Sequence, residues 1–146
     1  MSFLQAASKL AAPASDHGRR ITFAACVEYG TLEEGTIRLV ESLRAFGGEF
    51  ANARFVAVTP RGGAKLQAST LRRFAELDVD YVRINPRNRY VWQPYLNKYF
   101  ALKEAEKRAT GDLVAWVDSD VLFMRPPSEM LLRPDEDFGA CPRDKN

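Results

Sequence analysis

Apolar and polar positions follow one another along this chain in blocks whose period switches back and forth. Residues Ile21 to Val27 form a continuous apolar run broken only by Thr22, the pattern of a strand covered on both faces. A helix stripe follows, with Leu32, Thr36, Leu39, Val40, Leu43 and Phe46 recurring at helical spacing. Thr31 is placed as its N-cap with Glu34 completing a capping-box pattern, and Gly47 and Gly48 supply the stop. Arg54 to Val58 predicts a second strand, closed by Pro60 and the pair Gly62 and Gly63. Leu66, Thr70, Leu71, Phe74 and Leu77 mark a second helix, and Tyr81 to Ile84 a short third strand. After an irregular stretch from Asn85 to Gln93, Pro94 suits the first position of a third helix reaching about Ala109 before Gly111. Leu113 to Val117 then reads as a fourth buried strand, and it runs straight into Asp118, Ser119 and Asp120. Beyond lie the apolar Val121 to Met124, a break at Pro126 and Pro127, a helical turn from Ser128 to Leu132, and Phe138 to Cys141 as one further strand.

Strand and helix patterns in alternation predict an α/β fold with a mostly parallel, Rossmann-like sheet flanked by helices. Residues 1–19, rich in Ala and Ser with Pro13 and Gly18, read as a flexible leader, and residues 20–146 as one domain, the count that 146 residues suggest. Hydrophobic residues at 46% and charged residues at 27% exclude a disordered or collagen-like chain. No apolar run approaches the ~20 residues needed to cross a bilayer, so no transmembrane segment is expected. The first residues lack the charged start and apolar stretch of a secretory signal, which leaves the cytoplasm as the expected compartment. A net charge of +2 gives no broad footprint for nucleic acid, and none is expected as a partner.

The chemistry concentrates at the end of the fourth strand. Ligands of open parallel sheets bind beyond the carboxyl ends of the strands, where the strand order reverses. If the first and fourth strands flank that point, the Asp118 turn stands beside Val27, Glu28 and Tyr29. Neighbouring carboxylates repel one another unless a cation lies between them, and a hard divalent ion with oxygen ligands is the natural one. Both can reach one ligand only if the strand ends there, so a tight turn at Ser119 is implied. Taken alone, an Asp-x-Asp is more often a turn cap with a solvated neighbour. Here apolar stretches on both sides lead us to expect buried surface around the pair.

A second feature is the stretch from Tyr81 to Lys103. It carries Arg83, Arg87, Arg89, Lys98 and Lys103, contains no acid, and interleaves Tyr90, Trp92, Tyr95, Tyr99 and Phe100. A phosphate-bearing ligand fits beside it, and the helix start at Pro94 is expected to offer free backbone N–H groups to an anion. Lys98, in the first turns of that helix, is the candidate to bridge metal and phosphate. The only histidine, His17, lies in the leader, which argues against a Ser-His-Asp or Cys-His pair. Cys26 and Cys141 are far apart and read as structural thiols. Gly62 and Gly63 belong to no phosphate-loop motif and read as an ordinary turn.

Taken together, ITFAACVEYGTLEEGTIRLVESLRAF and LNKYFALKEAEKRATGDLVAWVDSDVLFMRPP resemble the donor-binding half of a GT-A fold glycosyltransferase, closest to glycosyltransferase family 8 with glycogenin and the lipopolysaccharide hexosyltransferases. The resemblance covers roughly residues 20 to 146. It implies that Asp118 and Asp120 bind Mn2+ or Mg2+ and the diphosphate of a nucleotide sugar, most simply a UDP-sugar. It further implies that Lys98 contacts the diphosphate or the sugar, with Ser119 in the same turn. The loop after the first strand holds base and ribose in this fold, which points to Cys26, Val27, Glu28 and Tyr29. Leu32 stands where the family places an aromatic on the base, and Tyr29 is the substitute. The family completes its metal site with a later histidine, which this chain lacks, so the resemblance is to an N-terminal donor-binding part with the acceptor-binding portion outside it.

Two rival readings remain at this level. A haloacid-dehalogenase-type phosphatase also opens on an apolar strand and Asp-x-Asp, with the first Asp as nucleophile. Val121 and Leu122 depart from its usual continuation, and that motif normally begins its chain. A non-catalytic module binding a nucleotide sugar or a metal is the other.

Overall fold

In the computed structural model of the chain, which describes residues 20–90 and 92–140, strand β1 (Ile21–Cys26) lies inside a four-stranded, wholly parallel sheet of order β3-β2-β1-β4. Its neighbours are β2 (Arg54–Thr59) and β4 (Leu113–Trp116), with β3 (Val79–Arg83) outside β2. Helices α1 (Thr31–Phe46) and α2 (Ala68–Glu76) and a 3-10 turn at Gly48–Phe50 follow the first two strands, and α3 (Leu96–Glu106) precedes β4. This is the Rossmann-like α/β arrangement that the block pattern predicts. The leader, residues 1–19, lies outside the described residues, as does Cys141.

The continuous apolar run of β1 is explained by its two covered faces. Ile21, Phe23, Ala25 and Val27 point into one core with Leu39, Val40 and Leu43 of α1, Phe74 of α2, and Phe55 and Ala57 of β2. Ala24, Val56 and Val58 point the other way, against Ala101 and Ala105 of α3. Each fully buried Phe or Leu of the first core contributes about 1.5–3 kcal/mol of transfer free energy. Small residues on α3 let the helix backbone approach the sheet closely. Phe123 returns to the first core after the acidic turn, meeting Phe23 edge-on at 5.4 Å, and its backbone N–H donates to Ser42 Oγ at 2.9 Å.

Several local expectations are corrected. The N-cap of α1 is Gly30, and the box closes through Glu33: Gly30 N–H donates to Glu33 Oε1 at 3.0 Å, while Glu33 N–H donates to Gly30 O at 3.1 Å. Gly30 has φ +105°, a conformation open to glycine and denied to the Thr31 expected there. Glu33 itself is buried, and its second oxygen accepts from Gln67 N–H at 2.8 Å and Thr70 Oγ1 at 2.5 Å at the start of α2. Leu32, Phe46 and Leu71 leave the predicted stripes and are exposed. Strand β3 starts at Val79 rather than Tyr81, and α3 is shorter than predicted at both ends. The fourth strand was expected to be buried; β4 is half-buried because it forms the sheet edge. Phe138 to Ala140 form no strand, and Ser128–Met130 is a 3-10 turn. No helix among the described residues is long and apolar enough to cross a membrane.

Candidate functional site

The chain builds β1, β2 and β3 outward in one direction and then crosses to the far side of β1 for β4. The reversal falls between the carboxyl ends of β1 and β4, where a parallel sheet of this kind opens a crevice. Ala24 pairs with Trp116, and Val117 N–H donates to Ala24 O at 2.9 Å. Asp118 thus emerges beside the end of β1, as the sequence suggests. Val121 N–H donates to Asp118 O at 3.2 Å, closing the implied tight turn over Asp118, Ser119, Asp120 and Val121.

A glycine fixes where that turn sits. A Cβ on Gly35, in the second turn of α1, would lie 2.7 Å from the backbone oxygen of Ser119. The acidic turn packs directly on the helix backbone, and only glycine admits it. Nothing in the apolar periodicity flags Gly35, because it is neither a cap nor a stop.

Asp118 is held from two directions. Lys98 Nζ lies 2.7 Å from its Oδ1 and 3.0 Å from its Oδ2, and Trp116 Nε1 donates to Oδ1 at 2.8 Å. The ammonium also stands 5.5 Å from the centre of the Trp116 ring. Partial burial pushes the Asp118 carboxyl up, but the hydrogen bonds from Lys98 and Trp116 and the Lys98 charge outweigh it and hold the group below the ordinary carboxylate range. Asp120 is exposed and makes no ion pair among the described residues. The apolar residues after it do not bury it: Val121, Leu122 and Met124 are exposed, and Phe123 alone turns inward. Its carboxylate is solvated, contrary to the expectation of buried surroundings.

The first turn of α3 joins this acidic turn to the end of β1. Asn97, next to Lys98, donates from Nδ2 to Glu28 Oε1 at 3.3 Å, and Arg61 donates to Glu28 Oε2 at 2.5 Å. The Cys26 thiol donates to Asn97 O at 3.5 Å. Burial pushes that thiol up to about 12, with the Glu28 and Asp118 charges adding to the effect, so it stays protonated. Val27 is wholly buried, its N–H donating to Val58 O and its carbonyl accepting from Thr59 Oγ1; its side chain belongs to the core. Tyr29 is exposed on the loop that follows. The start of α3 is not the open anion cradle expected. Its N–H groups at Leu96, Asn97 and Lys98 donate to Gln93, Pro94 and Tyr95 carbonyls in successive tight turns.

On the other side of Asn97 a cleft of about 310 Å3 is lined by Pro60, Arg61, Gly62, Asn85, Pro86, Asn88 and Asn97. This cleft presents amides and a guanidinium, while Asp118, Asp120 and Lys98 lie outside its lining. Amides suit a ring edge or hydroxyls, and the cations suit an anion. Asn97, Arg61, Asn85 and Asn88 are not singled out by the sequence, since a polar residue in a loop carries no mark of what it faces.

As to a metal, the described residues contain no cluster of three or more His, Cys, Asp and Glu side chains that would cage an ion. Asp118 and Asp120 nonetheless fit Mg2+ or Mn2+ of the kind held by one or two carboxylates with the remaining positions taken by water and substrate phosphate. The exposure of both carboxylates meets that requirement.

The fold is a parallel α/β domain whose strand order reverses between β1 and β4. Comparison with known families is more specific: residues 23–143 match the Rhodobacterales glycosyltransferase domain, and the chain belongs to that family. No curated protein and no solved structure matches the chain. Membership makes this a glycosyltransferase domain, which works on a sugar donor and an acceptor, and favours sugar transfer over the phosphatase reading.

Proposed function

We propose that the domain transfers a sugar from a nucleoside-diphosphate sugar, most simply a UDP-sugar, in the manner of the GT-A enzymes, with a divalent ion at Asp118 and Asp120. The observation that carries the reading is the Asp118 turn itself: two solvent-facing carboxylates at the switch point, with the Lys98 ammonium 2.7 Å from one of them. Bound there, Mn2+ or Mg2+ would supply Lewis-acid stabilisation of the leaving diphosphate. Lys98 is within reach of the same negative charge and would take phosphate oxygens as its partner in exchange for Asp118. Glu28 and Asn97 offer an acceptor and a donor to ribose or base, and the cleft between Arg61 and Asn88 is the space for them. Tyr29 is free to stack.

Titration calorimetry with UDP tests this. Heat is expected with Mn2+ and none with chelator, and Asp120→Asn is expected to remove most of the metal dependence, because one of two charged oxygen ligands is lost. Equal affinity with and without metal would overturn the reading.

A further inference from the structure

We propose that the outward face of α3, together with the loop that leads into it, docks this protein on an anionic lipid surface. The side of α3 that meets the sheet is marked by buried Ala101 and Ala105. Tyr99 and Lys103, one turn apart, lie on the opposite side and are exposed, as is Tyr95 just before the helix. Upstream, Tyr90 and Trp92 are exposed as well. Successive turns, with Gln93 N–H on Tyr90 O at 2.9 Å and Leu96 N–H on Gln93 O at 3.3 Å, hold this loop as a compact lead into the helix. Trp92 and Tyr95 keep 74% and 72% of their surface in contact with solvent. Large rings so exposed, in a run of neighbouring positions, mark an interaction surface rather than scattered surface hydrophobes.

The charges around the rings identify the partner. Many basic side chains elsewhere, among them Arg54, Arg61, Arg73, Lys107, Arg108, Arg125 and Arg133, sit in ion pairs with Asp or Glu, although Lys65 and Arg72 are exposed without one among the described residues. Arg87, Arg89 and Lys103 are exposed and have no ion-pair partner among the described residues, and no acid occurs from Tyr81 to Lys103. The surface is therefore complementary to a negatively charged partner. Tyr90 and Trp92 meet edge-on, with planes at 89°. Amphipathic Tyr and Trp with adjacent Arg and Lys are the residue types that settle at the headgroup level of a bilayer.

The experiment is co-sedimentation of the full chain with vesicles of phosphatidylcholine alone or with about a third phosphatidylglycerol, without donor or metal, so that its outcome is independent of the donor reading. The chain is expected to sediment with the anionic vesicles and to be released by salt. Trp92→Ser with Tyr95→Ser, and separately Arg87→Glu with Arg89→Glu, are each expected to weaken binding by about tenfold or more. Lys103→Glu gives a third, single-site readout should either double variant misfold by circular dichroism. Absence of sedimentation with anionic vesicles, or binding that none of the three changes move, would overturn the proposal. Retention on an acidic polysaccharide or on RNA without vesicle binding would overturn it in favour of a polymer ligand.

Discussion

The ammonium of Lys98 lies 2.7 Å from the carboxylate of Asp118 and so ties the acidic turn at the end of β4 to the first turn of α3. The side chains are 40% and 49% exposed, and an ion pair in that setting contributes at most about 1 kcal/mol to stability. The contact therefore matters for the chemistry of the site more than for the fold.

Replacing Lys98 with Met is accordingly expected to leave the melting temperature nearly unchanged while weakening UDP binding in the presence of Mn2+ by tenfold or more. The Asp118 carboxyl should also move up towards its ordinary range. A large loss of stability with unaltered affinity would show instead that Lys98 is a folding contact.

Gly35→Ala sets two effects against each other. Alanine in a helix interior is ordinarily better than glycine by about 1 kcal/mol. Here the new methyl would meet the Ser119 backbone oxygen at 2.7 Å, and the overlap costs about 1–3 kcal/mol because a main chain must move. We expect the clash to prevail, with a lower melting temperature and weakened metal-dependent UDP binding from the displaced turn. A more stable variant with full binding would show that the turn yields without consequence.

Glu33 joins the starts of α1 and α2. Burial pushes its carboxyl up, but hydrogen bonds from Thr70, Gly30 and Gln67 outweigh that and lower it. A folded-state value below the unfolded one contributes stability that is present above the unfolded value, near 4.5, and is lost as pH falls through the folded one. Glu33→Gln removes charged hydrogen bonds that contribute about 1.5–3 kcal/mol. Thermal melts of the variant should show a lower midpoint at neutral pH and a shallower acid slope than the parent. Identical slopes would assign the acid sensitivity to other carboxylates.

The sequence by itself determined the order of strands and helices, the parallel sheet and the acidic turn, because each is written in local periodicity or in adjacent residues. The run Ile21 to Val27 already carries the fact that β1 is covered twice, and Asp118 and Asp120 are read without any neighbour in space. Only tertiary structure decided which polar residues meet. Asn97 reaches Glu28 from 69 positions away, Arg61 reaches it from 33, and Ser119 rests on Gly35. The α1 cap moved to Gly30 and Glu33 because Glu33 also serves α2, a contact that no local propensity contains. Val121, Leu122 and Met124 face solvent while Phe123 reaches the core, and β4 is the sheet edge with no further strand beside it among the described residues. Periodicity reports how each segment meets the core; pairing across the crevice depends on the order in which the strands assemble, and that order is a property of the whole sheet.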